Sequence, residues 1–159
     1  MKSKLLPFIA IFFLSVSYSF SQTKTLVLPK PTPKPPPGNI KMLSGYVHKQ
    51  GQGIDTRVGK IFKENGLKIE YDIGGLAGNY ALGAYTNKKE KVIWFKIQET
   101  NGYEVLLAYL KDGSIYATFP EDDANFIADI KTNEDLADFL IMIMTYGSTN
   151  ELKVKKKNR

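Results

Sequence analysis

The sequence predicts an α+β fold: an antiparallel β-meander of six or seven strands with one or two C-terminal helices packed on it. Three observations lead there. From residue 44 onward apolar and polar side chains alternate, most clearly where Leu67, Ile69, Tyr71 and Ile73 interleave with Lys68, Glu70 and Asp72. A period of two places such sets on opposite faces of a strand. The joining segments are short and hold Asn65-Gly66, Asn101-Gly102 and Asp112-Gly113, dipeptides that adopt the positive φ of tight hairpins. Parallel neighbours would need far longer crossovers. After Phe119 the period changes to that of a helix.

The chain begins with an export pattern. Lys2 and Lys4 precede the apolar run Leu5 to Val16, and small residues follow at Ser17, Ser19 and Ser21. The run is too short to cross about 30 Å of hydrocarbon, and Pro7 weakens it as a helix. Residues 1–21 therefore read as a signal peptide cleaved after Ser19 or Ser21. The mature chain is expected to lack a transmembrane segment and to be periplasmic or secreted. It holds no cysteine, so disulfides, thiolate metal sites, thiol catalysis and a lipidated cysteine are all excluded.

Residues 22–40 form the expected linker. Its core, PKPTPKPPP at 29–37, cannot enter a sheet interior and reads as an extended polyproline II spacer. A ligand for a proline-recognising groove is the alternative. A single domain over 41–150 follows, with strands expected near 44–49, 55–63, 67–73, 79–86, 91–98, 103–110 and 114–119. Ile93, Phe95 and Ile97 alternate with Val92, Trp94 and Lys96, which suggests a central strand covered on both sides. Pro120 and the acids Glu121, Asp122 and Asp123 suit the start of a short helix reaching about Ile130. Thr132 with Asp135 resembles a capping box. Leu136, Phe139, Leu140, Ile143 and Met144 then recur at helical spacing up to Gly147, the natural stop.

The net charge of +6 is unevenly placed. Residues 1–41 carry six lysines and no acid, 42–150 carry a net −4, and the basic tail 151–159 a net +4. The basic charge lies outside the fold, which argues against nucleic acid. The tail remains a possible weak contact with anionic surfaces.

Gly74, Gly75 and Gly78 raise the question of a phosphate loop. Such a loop runs from strand through glycines into a helix that presents free N–H groups. The Walker Lys-Ser/Thr pair is missing, and Tyr80, Leu82 and Ala84 alternate, so a bend between two strands is expected. His48, with Ser44 and Asp55, matches the residue types of a hydrolase triad but has no nucleophile elbow around it. One histidine without cysteine leaves no metal site or cofactor to expect. Glu121–Asp123 lacks the spacing of a calcium loop.

An exported, non-catalytic module binding a protein, peptide or glycan follows as the preferred function. Tyr46, His48, Arg57, Asp72 and Trp94 are the candidate binding residues, as aromatic platforms, polar contacts and an anion clamp. A carboxylate-dependent hydrolase of envelope glycan or peptide is the first alternative, with Asp55, Glu70 and Asp72 as candidate catalytic groups. Glu70 and Asp72 project from one strand face, roughly 6–7 Å apart by strand rise. The second alternative is an adaptor docking through its last helix by Ile141, Met142 and Met144.

Overall fold

A computed structural model describes residues 34–148. The predicted signal peptide, most of the spacer and the basic tail lie outside the described residues. The strands are β1 (Tyr46–Gln50), β2 (Arg57–Lys63), β3 (Lys68–Ile73), β4 (Val92–Thr100), β5 (Tyr103–Leu110), β6 (Ser114–Phe119) and β7 (Ala124–Asp129). The helices are α1 (Tyr80–Asn87) and α2 (Asn133–Ile143). All seven strands join one antiparallel sheet in the order β1-β2-β3-β7-β6-β5-β4.

The fold is the expected α+β class with a C-terminal helix on an antiparallel sheet, built as two meanders. β1–β2–β3 forms one half. The chain then crosses through α1 to the far edge and returns as β4–β5–β6–β7, closing β7 against β3. Asn101 and Gly102, both at positive φ, make the tight β4–β5 turn that their sequence predicts.

Two elements exchange roles relative to expectation. The strand expected over 79–86 is α1. Ala81 and Ala84 are its buried positions, three apart, and the Tyr80-Leu82-Ala84 alternation is incidental. The helix expected up to Ile130 is one 3₁₀ turn, Pro120–Asp122, followed by β7. Asp123 enters the left-handed region (φ 47°, ψ 39°) and ends the turn. Ala124, Phe126 and Ala128 then face one side of the sheet and Asn125 and Ile127 the other, so β7 is a central strand, covered along one face and, on the other, only at Asn125. β4 is correspondingly an edge strand, not a central one. Its Ile93 and Ile97 stay exposed, while Trp94 packs beside Tyr109 at 5.6 Å.

α2 begins with the predicted capping box: Asp135 N–H donates to Thr132 Oγ1 (3.1 Å) and Thr132 N–H to Asp135 Oδ2 (3.0 Å). It lays Phe139, Met142 and Ile143 on Ile61, Ile69, Val105, Leu107, Ile115, Ala117 and Phe126. Tyr146 closes this core, stacked on Phe119 at 4.0 Å. The end of the expected spacer is part of the fold: Pro37 and Ile40 are buried, and Gly147 N–H donates to Gly38 C=O (2.7 Å). Gly38, at φ 60°, passes directly against the Tyr146 ring, where a Cβ would collide. On the opposite face α1 packs Ala81 and Ala84 against Leu106, Ala108 and Leu110, with Tyr85 stacked on Phe95 at 4.4 Å. Among the described residues no helix is long and apolar enough to cross a membrane.

Two measurements test this core. Phe126→Ala should cost about 3–5 kcal/mol in urea denaturation, since the ring is wholly buried between Phe119, Tyr71 and Tyr146. Burial, then the hydrogen bond to Asp122 (2.9 Å), raises the Tyr146 phenol well above its ordinary 10.0. The unfolded chain ionises first, so stability should hold to about pH 10 and fall above it. Tyr146→Phe should flatten that alkaline fall, at a cost of about 1 kcal/mol near neutrality.

Candidate functional site

The two helices cover the sheet unequally. α2 lies on one face, whereas α1 sits chiefly on β5 and β6 of the other. The β1–β2–β3–β7 part of that second face is left to form an open cleft of about 500 Å³. Sheet register explains its lining, because residues directly opposite one another share a face. One row runs Lys49–Lys60–Glu70–Ile127 across four strands. The next runs Val58–Asp72–Asn125–Thr118. Val58 and Ile127 are the apolar residues of the lining, beside Asp72 and Glu70 respectively, and Tyr80, the first residue of α1, stands as a wall.

Asn125 and Thr118 place that wall. Both are wholly buried. Asn125 Oδ1 accepts from Tyr80 N–H (3.0 Å) and from Thr118 Oγ1 (2.7 Å), and its Nδ2 donates to Gly78 C=O (2.8 Å). Thr118 Oγ1 accepts from Ala81 N–H (3.0 Å), and the Asn79 side chain accepts from Leu82 N–H (2.9 Å). The first three N–H groups of α1 are therefore occupied from within the fold. The glycines do precede a helix, contrary to the expected bend between strands, but the helix start has no free donors for an anion. At Gly74 (φ 144°) a Cβ would lie 3.2 Å from Asp55 C=O, so the glycine lets the loop pass close to the β1–β2 connection.

Tyr80 is held at its other end as well. Its hydroxyl donates to Asp72 Oδ2 at 2.8 Å, and burial, then this bond and the charge of Asp72, raise its phenol above the ordinary value. Asp72 Oδ1 is buried and has no protein donor. Glu70 is exposed and bridged by Lys68 at 2.8 Å.

Of the residues singled out from sequence, the cleft gathers Asp72 and Glu70. Asp55 is exposed on the β1–β2 loop and Arg57 is exposed at the start of β2. Tyr46 is buried, donating its hydroxyl to Asp138 Oδ2 of α2 (2.8 Å). Trp94 packs at the edge of the core under α2. His48 lies on that same face. Its Nδ1 donates to Lys34 C=O (2.9 Å), so Nε2 accepts from the Tyr71 hydroxyl (2.8 Å), and the ring ties the N-terminal arm to the sheet. Asp122 accepts from Tyr146. Among the described residues no group of three His, Asp or Glu side chains is placed to hold a metal ion. Sequence reasoning missed Lys49, Val58, Lys60, Tyr80 and Ile127. The β1–β2 register would have paired the lysines, but nothing local announces it.

Comparison with protein families, curated proteins and solved structures finds no match to this chain.

Asn125→Ala should leave Tyr80 N–H and Gly78 C=O unpaired, each worth about 1–3 kcal/mol when buried. The expected result is a loss of at least about 2 kcal/mol in urea denaturation, with faster amide exchange at Tyr80 and Ala81 than at β5.

Proposed function

We propose that the protein is an exported, non-catalytic binding module whose ligand lies in the open cleft beside Tyr80. Export rests on the N-terminal pattern of Lys2, Lys4 and the apolar run to Val16. Binding rests chiefly on one observation: Asp72 offers a buried carboxyl oxygen with no protein donor, inside a cleft lined by apolar and charged side chains. A buried acceptor left unpaired costs about 1–3 kcal/mol, which a ligand donor would recover. A concave apolar surface with a few convergent polar groups is the general form of a small-ligand site.

The hydrolase reading draws on Glu70 and Asp72 lining the same cleft. It needs two converging carboxyls with shifted acidity. Glu70 is solvated and bridged to Lys68, and Asp55 is not among the cleft residues, so the geometry supports binding better. For the adaptor reading, Met142 is wholly buried and Met144 partly so, and only Ile141 of the three is exposed.

Thermal-shift screening of the full chain against short peptides and oligosaccharides tests the proposal. A cleft ligand at 100 times its Kd should stabilise the protein by about 2.7 kcal/mol. Val58→Trp, which fills the cleft beside Asp72, should abolish the response. A response that survives this substitution would place the ligand elsewhere.

A further inference from the structure

The charges in the cleft are arranged in an unusual way. Lys49 and Lys60 stand directly opposite each other on β1 and β2 and face the cleft together. Like charges paired across strands repel. No carboxylate of the described residues answers either lysine: the ion pairs there are Lys63–Glu134 and Lys68–Glu70. Glu70, next in the row, is thus already engaged, and the Lys60 ammonium rests over the Phe62 ring, 5.0 Å from its centre. One strand across from Lys60 and two residues along lies Asp72 in the second row, with Oδ1 unpartnered. The cleft therefore carries a site for negative charge and a site for a donor; Val58 and the Lys68-bridged Glu70 stand at the corners between Lys60 and Asp72, with Ile127 beyond Glu70.

We infer that the ligand is a short peptide with free ends, its carboxylate between Lys49 and Lys60 and its ammonium on Asp72 Oδ1. This rests on the cleft being the ligand site. A simple anion would use the lysines alone and be repelled by Asp72. A neutral ligand would leave the lysine pair unanswered. A zwitterion satisfies both, by charge-assisted hydrogen bonds at each end. Two residues along a strand and one strand across give about 8 Å between the backbone positions of Lys60 and Asp72. A peptide gains about 3.3–3.6 Å per residue, so two or three residues span that distance. Small-ligand pockets run from about 300 to 1,000 Å³, and the volume of about 500 Å³ suits a ligand of this size.

Calorimetry on the full chain with trialanine, N-acetyl-trialanine, trialanine amide and inorganic phosphate decides the matter. Trialanine should bind, and blocking either end should weaken binding at least tenfold. Asp72→Asn keeps an acceptor for Tyr80 and should erase the preference for a free amine. Lys49→Gln with Lys60→Gln should erase the preference for a free carboxylate. Equal binding of free and blocked peptides, or tighter binding of phosphate, overturns the inference on the unaltered protein alone, whatever the variants do. If trialanine fails while another ligand binds in a manner abolished by Val58→Trp, the peptide inference falls and the binding cleft stands. If nothing tested responds to Val58→Trp, both fall.

Discussion

The buried amide of Asn125 and hydroxyl of Thr118 form the constraint on which the arrangement of this protein depends. They are the two polar residues among the described residues that the core wholly encloses. Enclosing an amide is costly unless its hydrogen bonds are made. Here Asn125 uses oxygen and nitrogen together, accepting from α1 and Thr118 and donating to the loop that precedes the helix. The pair stands on adjacent strands in register, so two central strands grip one helix end. α1 is only eight residues long, too short to be stable by itself. Its position follows from this grip and from two buried alanines, not from intrinsic propensity.

The unequal covering of the sheet follows. Held at β6 and β7, α1 extends over the β5 side and leaves β1–β3 uncovered on its face. α2 lies on the other face, where the aromatic side chains concentrate: Phe119, Phe126, Phe139 and Tyr146. There the N-terminal arm returns, through Ile40 and Pro37, to seal the end of α2. One face is thus closed by helix and arm, and the other is half closed. The same anchoring puts Tyr80 where its backbone meets Asn125 and its hydroxyl meets Asp72. One residue couples the core of the fold to the wall of the cleft.

Much of the fold was legible in the sequence. Strand alternation in β3, the Asn-Gly turn at 101–102 and the capping box at Thr132 each declare themselves locally, and each is present, whereas α2 ends at Ile143 with Met144 as its cap, before the stop expected at Gly147. The elements that misled are those decided by distant partners. Asn79 to Tyr85 carries alternating apolar residues and a central glycine, and it becomes a helix because Asn125 and Thr118 receive its N–H groups. Ala124 to Asp129 follows a helix-like acidic start, yet its short apolar run fills the gap between β3 and β6. The candidate site divided in the same way. Asp72 was visible as a carboxylate on a strand face. Lys49, Lys60 and Tyr80 acquire meaning only through register and through the crossover, neither of which a local pattern encodes. Tyr46 and His48 were visible as polar aromatics, but their polar atoms are spent inside the fold.

Lys68, Glu70 and Asp72 read in sequence as one solvated face, and for the first two that is what they are: exposed partners in an ion pair. Asp72 differs although its immediate neighbours in sequence give no sign of it. Tyr80 is eight residues away along the chain, and the helix start brings its ring over the carboxyl, taking one oxygen as a hydrogen-bond acceptor while the other lies buried beside it. Protein here takes the place of the water that would solvate a strand carboxylate. A wet face thereby becomes a cleft with a defined end, without any change in the alternation that built the strand. The chemistry available to the cleft then depends on what the wall leaves unanswered: one carboxyl oxygen near the helix, and on the neighbouring strands two lysines without a carboxylate partner among the described residues.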